Sequence, residues 1–203
     1  MKNVVIIKSL LWVFFLGAPL FGQSSNGPAP AVTGPATLEA GVGYAYISLA
    51  APNSQRVGLN GLNAFALSQL TPHWGATLDF TFARAGDALG TQHSDTIYTA
   101  MVGPVYYPLG QGRMTREKTE IFVHALVGAA WIHGAVPATP TTYFAGWEDR
   151  PSFALGAGVE RSLTGPFALR AGVDYLRTTF FKPTGATEGQ NNLRLTATFV
   201  YRF

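Results

Sequence analysis

LRLTATFVYRF, residues 193–203, alternates with a strict period of two. Leu193, Leu195, Ala197, Phe199, Tyr201 and Phe203 share one face, while Arg194, Thr196, Thr198, Val200 and Arg202 share the other. A period of two belongs to a β-strand, whose successive side chains point to opposite sides. One face is bulky and apolar. The other mixes small, polar and charged residues.

The same theme recurs upstream. Runs near 37–49, 57–70, 74–84, 95–107, 119–133, 152–162 and 167–178 alternate likewise, so that with 191–203 eight strands are expected. In the seventh, Phe167, Leu169, Ala171, Val173 and Tyr175 oppose Ala168, Arg170, Gly172, Asp174 and Leu176. In the sixth, Phe153, Leu155, Ala157 and Val159 oppose Ala154, Gly156, Gly158 and Glu160. The fifth sets Ile121, Val123, Ala125, Val127, Ala129 and Trp131 against a mixed face holding His124. In the third, Trp74, Ala76, Leu78, Phe80 and Phe82 stand against Thr77, Asp79 and Thr81. The second and fourth runs carry small residues on both faces, which leaves their phase open.

Which face looks inward separates two architectures. A soluble barrel turns large apolar side chains in and charges out; a membrane barrel does the reverse. Charged residues make up 12% of this 203-residue chain, about half of the roughly 25% usual in soluble domains. Hydrophobic residues make up 47%, and the apolar faces carry almost no charge. Such a chain can barely dress a soluble surface. It predicts an all-β fold, an eight-stranded antiparallel transmembrane β-barrel, with apolar faces toward lipid and small residues filling the narrow bore. The runs supply the roughly 9–11 residues of a tilted spanning strand. Closure leaves no open edge in lipid.

The N-terminus reads as an address. Lys2 and Lys8 precede the apolar stretch Leu10–Leu16, and cleavage is expected near Gly22–Gln23, making 1–22 a signal peptide. That apolar stretch is short of the roughly 20 residues of a spanning helix. Residues 23–36, rich in Pro, Gly, Ser and Ala, are expected to be a flexible leader, and 37–203 the barrel. Without cysteine, neither a lipid-anchored Cys nor a disulfide is possible. Losing Lys2 and Lys8 lowers the formal charge from +3 to +1, a balance that speaks against a nucleic-acid partner.

With both termini in the periplasm, Thr71-Pro72-His73, Gly110–Lys118 and Thr164-Gly165-Pro166 become inner turns. The segments 50–56, 85–94, 134–151 and 179–190 become outer loops. Short inner turns and longer outer loops are the asymmetry of outer-membrane barrels. Trp74, Phe167, Tyr201 and Phe203 fall at the inner interface and Tyr46, Phe82, Trp131 and Tyr175 at the outer one, as aromatic girdles do.

The terminal strand LRLTATFVYRF, with TPHWGATLDF (71–80), VGPVYYPL (102–109) and IFVHALVGAA (121–130), resembles the small OmpA/OmpX-like outer membrane protein β-barrel families over 37–203. The resemblance implies that Phe199, Tyr201 and Phe203 form the C-terminal signal by which the barrel-assembly machinery recognises such chains. With Phe203 as the last residue, the peptidoglycan-binding role of two-domain members is not carried over.

Inward charges are the first candidate site: Glu39, Asp79, Glu160, Arg170, Asp174, Arg194 and Arg202. A tight turn at 164–166 sets Glu160 opposite Arg170. Asp174 lies within a diagonal step of Arg194, and Glu39 meets Arg202 where the last strand closes on the first. Charges in so narrow a space must pair, because isolated ones are costly to desolvate. Among the histidines, His93-Ser94-Asp95 and His133 invite a hydrolytic reading, but adjacent strand residues face apart and match no signature of base and nucleophile. His124 is expected to be an interior hydrogen-bonder and His73 a turn residue. No cluster suggests a metal or another cofactor. Outside, the loop 134–151 carries Tyr143, Phe144 and Trp147 beside Glu148, Asp149 and Arg150, candidates for a binding patch or for headgroup anchors. The charged RMTREK segment (113–118) is expected to solvate an inner turn.

The function these features favour is non-enzymatic: a monomeric outer-membrane protein of the envelope, with outer-membrane lipid around it, its bore plugged by salt bridges and its outer loops meeting the surroundings. A narrow pore for ions or small solutes is the alternative. A lipid-modifying enzyme and a soluble lipocalin-like carrier follow.

Overall fold

Alternation becomes eight strands: β1 (Leu38–Ala50), β2 (Arg56–Gln69), β3 (Trp74–Ala85), β4 (Asp95–Tyr106), β5 (Thr119–Thr139), β6 (Thr142–Ser162), β7 (Phe167–Thr178) and β8 (Gln190–Arg202). Each pairs antiparallel with its neighbour in sequence, and β1 pairs with β8, closing the barrel. The computed structural model describes residues 38–51, 55–88, 93–110, 119–139, 142–180 and 189–203, with backbone alone at 135–139 and 142–145. The expected signal peptide, the leader and the RMTREK segment lie outside the described residues.

The faces are inverted relative to a water-soluble protein. Val127 is 62% exposed on the outside, whereas Glu160 is 0% and Arg194 1% exposed inside. Exterior Val42, Leu62, Leu78, Phe80, Leu155, Leu169, Val173 and Leu195 form a belt without charges at mid-height. A slip of one residue in any pair would turn this belt inward, so the hydrophobic pattern fixes the register.

Short turns gather at one end, here the turn end, together with the start of β1 and the end of β8. In one turn the Thr71 hydroxyl accepts the backbone N–H groups of His73 (3.3 Å) and Trp74 (3.0 Å). In another, Leu163 N–H bonds to Phe167 O at 2.8 Å and Gly165 adopts φ 69°, a left-handed conformation that glycine takes without Cβ strain.

Two expectations are corrected. Residues 134–151 are not a loop: β5 and β6 run on to Thr139 and Thr142 as a paired hairpin with one register shift between Pro137 and Thr139. Pro137 and Gly146 read as loop signals in sequence. Beyond Asp95 and Thr178, however, these strands have no outer neighbours among the described residues, and an edge tolerates a proline that a central strand would not. The bore is also not filled chiefly by small residues. β2 turns Val57, Leu59, Phe65 and Leu67 inward, and β4 turns Ile97, Met101 and Val105 inward. These are the two strands whose phase the sequence left open.

Candidate functional site

The bore is stratified, and each layer follows from cross-strand rows of inward residues. At the turn end, Glu120 faces Glu160 across β5 and β6, and Glu160 faces Arg170 across β6 and β7. Neighbouring carboxylates repel unless a cation lies between them. Arg202, held opposite Glu39 by the closing strand pair, supplies it. Its Nε lies 3.0 Å from Glu39 Oε1, its Nη2 3.4 Å from Glu120 Oε2, and Nη2 also pairs with Glu160. A further bond runs from Arg202 Nη1 to Ser162 Oγ at 2.8 Å. Arg170 Nη1 lies 3.4 Å from Glu160 Oε2, and its guanidinium sits over the rings of Phe122 (3.7 Å) and Phe65 (4.7 Å). Desolvated cation–π contacts of this kind are worth about 2 kcal/mol.

The middle layer centres on Arg194. Its Nε donates to Asp174 Oδ2 at 2.6 Å, and its Nη1 to Asp79 Oδ1 at 2.5 Å and Thr81 Oγ1 at 2.9 Å. His124 Nε2–H donates to the other Asp174 oxygen at 2.6 Å, and Asn63 Nδ2 donates to the other Asp79 oxygen at 2.9 Å. All four carboxylate oxygens are thus engaged. Glycine makes the His124 contact possible. His124 pairs with Gly156 and Gly156 with Asp174 in the registers, so the two side chains meet above a residue that has none. A Cβ on Gly156 would stand 2.5 Å from His124 Nε2. Gly158 leaves room for the Phe122 ring in the same way. Between the layers lies a cavity of about 20 Å3 bounded by Phe65, Phe122, His124, Arg170 and Arg194, space for about one water.

Toward the opposite end, here the loop end, apolar side chains predominate, with Asp95, Thr99, Thr178 and Asn192 buried beside them. Ile47, Leu49, Val57, Leu59, Ile97, Met101, Leu126, Ile132, Leu176 and Phe180 form one buried cluster. A smaller cluster of Leu67, Val105, Tyr107 and Phe122 underlies Arg170. The bore therefore combines ion-pair layers with a plug of large apolar side chains, where the sequence suggested salt bridges among small residues.

All seven inward charges named from sequence lie in these two layers. Sequence reasoning missed Glu120, whose parity with His124 on β5 was the available signal, and Phe65 and Phe122, whose role depends on where Arg170 ends. His73 Nδ1–H donates to Tyr107 O at 2.9 Å in a turn. Ser94 Oγ accepts from Arg84 at 3.2 Å outside, while Asp95 is buried inside. Among the described residues no group of three His, Asp or Glu side chains is placed to hold a metal ion.

Outside, Phe167 packs on Phe199 (5.2 Å) and Tyr201 (5.5 Å), and Tyr201 on Phe203 (4.8 Å). Phe203 N–H bonds to Leu38 O at 2.8 Å. On the extended hairpin, Trp147 is 68% exposed and lies against His133 (4.8 Å) and Tyr98 (6.3 Å). The backbones of Tyr143 and Phe144 pair with Pro137 and Val136; their side chains lie outside the described residues.

A closed eight-strand barrel with charges inside and an apolar belt outside is the architecture of a family. The model of the outer membrane protein beta-barrel domain matches residues 16–203. The chain belongs to that family. It is an outer-membrane β-barrel, and its family places it in the outer membrane. Solved barrels agree in fold. Ail, the attachment invasion locus protein of Yersinia pestis, is 17% identical over 83% of this chain and 99% of its own, with a TM-score of 0.57. Neisserial surface protein A is 14% identical over 83% and 97%, with a TM-score of 0.57. OprG from Pseudomonas aeruginosa is 11% identical over 83% and 96%, with a TM-score of 0.51. No curated protein matches the chain by sequence.

Proposed function

We propose that this outer-membrane β-barrel is a non-enzymatic envelope protein, whose spanning part is a filled pedestal and whose loop end, led by the β5–β6 hairpin, meets the surroundings. A signal peptide ending near Gly22 exports the chain. The terminal strand, through Phe199, Tyr201 and Phe203, engages the barrel-assembly machinery. The apolar belt takes up outer-membrane lipid, and the working unit is a monomer with its loop end outside the cell.

The observation that carries this reading is the filled bore. Two ion-pair layers occupy the turn-end half, and Ile47, Leu59, Ile97, Leu126, Ile132 and Leu176 close the other half. Hydrated ions cross neither a closely filled apolar plug nor an arginine locked between carboxylates. The opposing reading, a narrow pore for ions or small solutes, draws on the water-sized cavity between the ion-pair layers and requires the apolar plug to move.

Single-channel recording of the refolded protein in a planar bilayer, with Arg170→Ala beside it, decides between them. A silent bilayer containing folded, inserted protein is expected. Discrete steps that change in Arg170→Ala would overturn the pedestal and make the turn-end layer the gate of a pore.

A further inference from the structure

Every inward arginine is paired with a carboxylate, and so is Arg150, with Glu148. Among the described residues three arginines on the outer face at the loop end are not: Arg84, which donates to Ser94 Oγ at 3.2 Å, and the pair Arg56 and Arg177. Arg56 begins β2 and Arg177 stands near the end of β7, and neither has a carboxylate within ion-pair distance among the described residues. They converge on the start of β8. Arg177 is the register partner of Asn191, and a Cβ on Gly189 would stand 2.6 Å from its Nε, so its guanidinium lies over Gly189, just before β8 begins. From the other side, Arg56 Nη2 donates to Asn191 O at 3.3 Å and its Nη1 to Ser48 O at 3.1 Å and Ser48 Oγ at 3.2 Å. The Asn191 side chain is held by the Tyr175 hydroxyl at 2.5 Å.

Directly below on β8, Leu193 and Leu195 are exposed toward lipid, with Val173 and Tyr175 beside them on β7. A molecule seated here meets apolar surface below, a tyrosine at headgroup depth and two cationic forks above. That profile fits an amphiphile with acyl chains and a phosphate. Guanidinium forks bind phosphate bidentately. A soluble anion would leave the apolar half unused.

We infer that Arg56 and Arg177, bracketing Asn191, form a binding site for the phosphate of a phosphorylated glycolipid in the outer leaflet. This rests on the proposed orientation, with the loop end outside.

The test uses the full barrel refolded in detergent and mixed with lipid A or with the same lipid stripped of its phosphates. Bound lipid is counted by native mass spectrometry. The wild type is expected to prefer the phosphorylated form, and Arg56→Gln with Arg177→Gln to weaken that preference about tenfold. Arg56→Lys with Arg177→Lys is expected to keep part of it, and Arg161→Gln, at an exterior arginine of the turn end, all of it. The heat-dependent gel shift verifies that each variant is folded. Equal binding of both lipids by the wild type, an unchanged preference in the glutamine variant, an equal loss in Arg161→Gln, or full displacement by inorganic phosphate would each overturn the site. Binding in detergent needs no orientation and no closed bore. The orientation is read separately, by labelling Gln55→Cys from outside intact cells.

Discussion

Arg194 on β8 reaches across the bore to Asp79 on β3, with Nη1 2.5 Å from Asp79 Oδ1, while its Nε binds Asp174 on the adjacent β7 at 2.6 Å. Strands β3 and β8 are not neighbours; β1 and β2 stand between them. One buried guanidinium therefore ties opposite walls of the barrel together.

Removing it leaves two buried carboxylates without their cation. Arg194→Ala is expected to lower stability by about 3–5 kcal/mol, measured by urea unfolding of the detergent-refolded protein. A loss below about 1 kcal/mol would mean that water or another cation replaces Arg194, contrary to its burial.

Gly156→Ala places a methyl group between His124 and Asp174. The expected cost is about 1–3 kcal/mol, as for overpacking elsewhere. Combining it with His124→Ala should recover part of that loss, because the smaller neighbour admits the methyl. A double-mutant cycle reads the coupling, and strict additivity would show that Gly156 serves the backbone rather than the histidine.

Val173 lies on the lipid-facing belt at mid-height. Val173→Arg is expected to cost about 2–4 kcal/mol in a lipid bilayer. If the variant assembles and resists heat as the wild type does, the assignment of inner and outer faces is wrong.

Leu59 is fully buried in the apolar plug. Leu59→Ala should cost about 2–5 kcal/mol by opening a cavity, read in the same unfolding assay, and leave a planar bilayer silent. Conductance appearing with a single truncation would reveal a plug only one side chain thick.

Phe203 bonds to Leu38 through its backbone, while its ring projects outward. Phe203→Ala should therefore change unfolding in detergent by less than about 1 kcal/mol, yet sharply reduce folded barrel in cells. Equal effects in both settings would remove the assembly role from the terminal aromatic.

Much of the fold was legible. Period-two runs located all eight strands, and charge sparsity marked the outward face. The phase of β2 and β4 was not legible, because Gly and Asn stand on both faces of β2, Thr and apolar residues stand on both faces of β4, and closure alone chose which turned inward. The length of the β5–β6 hairpin was obscured by Pro137 and Gly146, residues that interrupt a central strand but are tolerated where, among the described residues, each strand pairs on one side only.

The candidate site divides the same way. Glu160 with Arg170 was readable because the short turn at 164–166 sets the register of β6 against β7, and Asp174 with Arg194 because consecutive strands pair and both residues share the inward parity. Glu39 with Arg202 followed from closure of the last strand on the first. By contrast, Asp79 and Arg194 stand 115 residues apart, and His124 meets Asp174 across an intervening strand only because Gly156 has no side chain. What the sequence by itself determined was the strands, their outward face and their nearest partners, since these depend on local periodicity and turn length. Which charges meet across the bore was decided by the tertiary structure alone. Strand number and stagger set the distances between non-adjacent walls, and no local pattern in the chain encodes them.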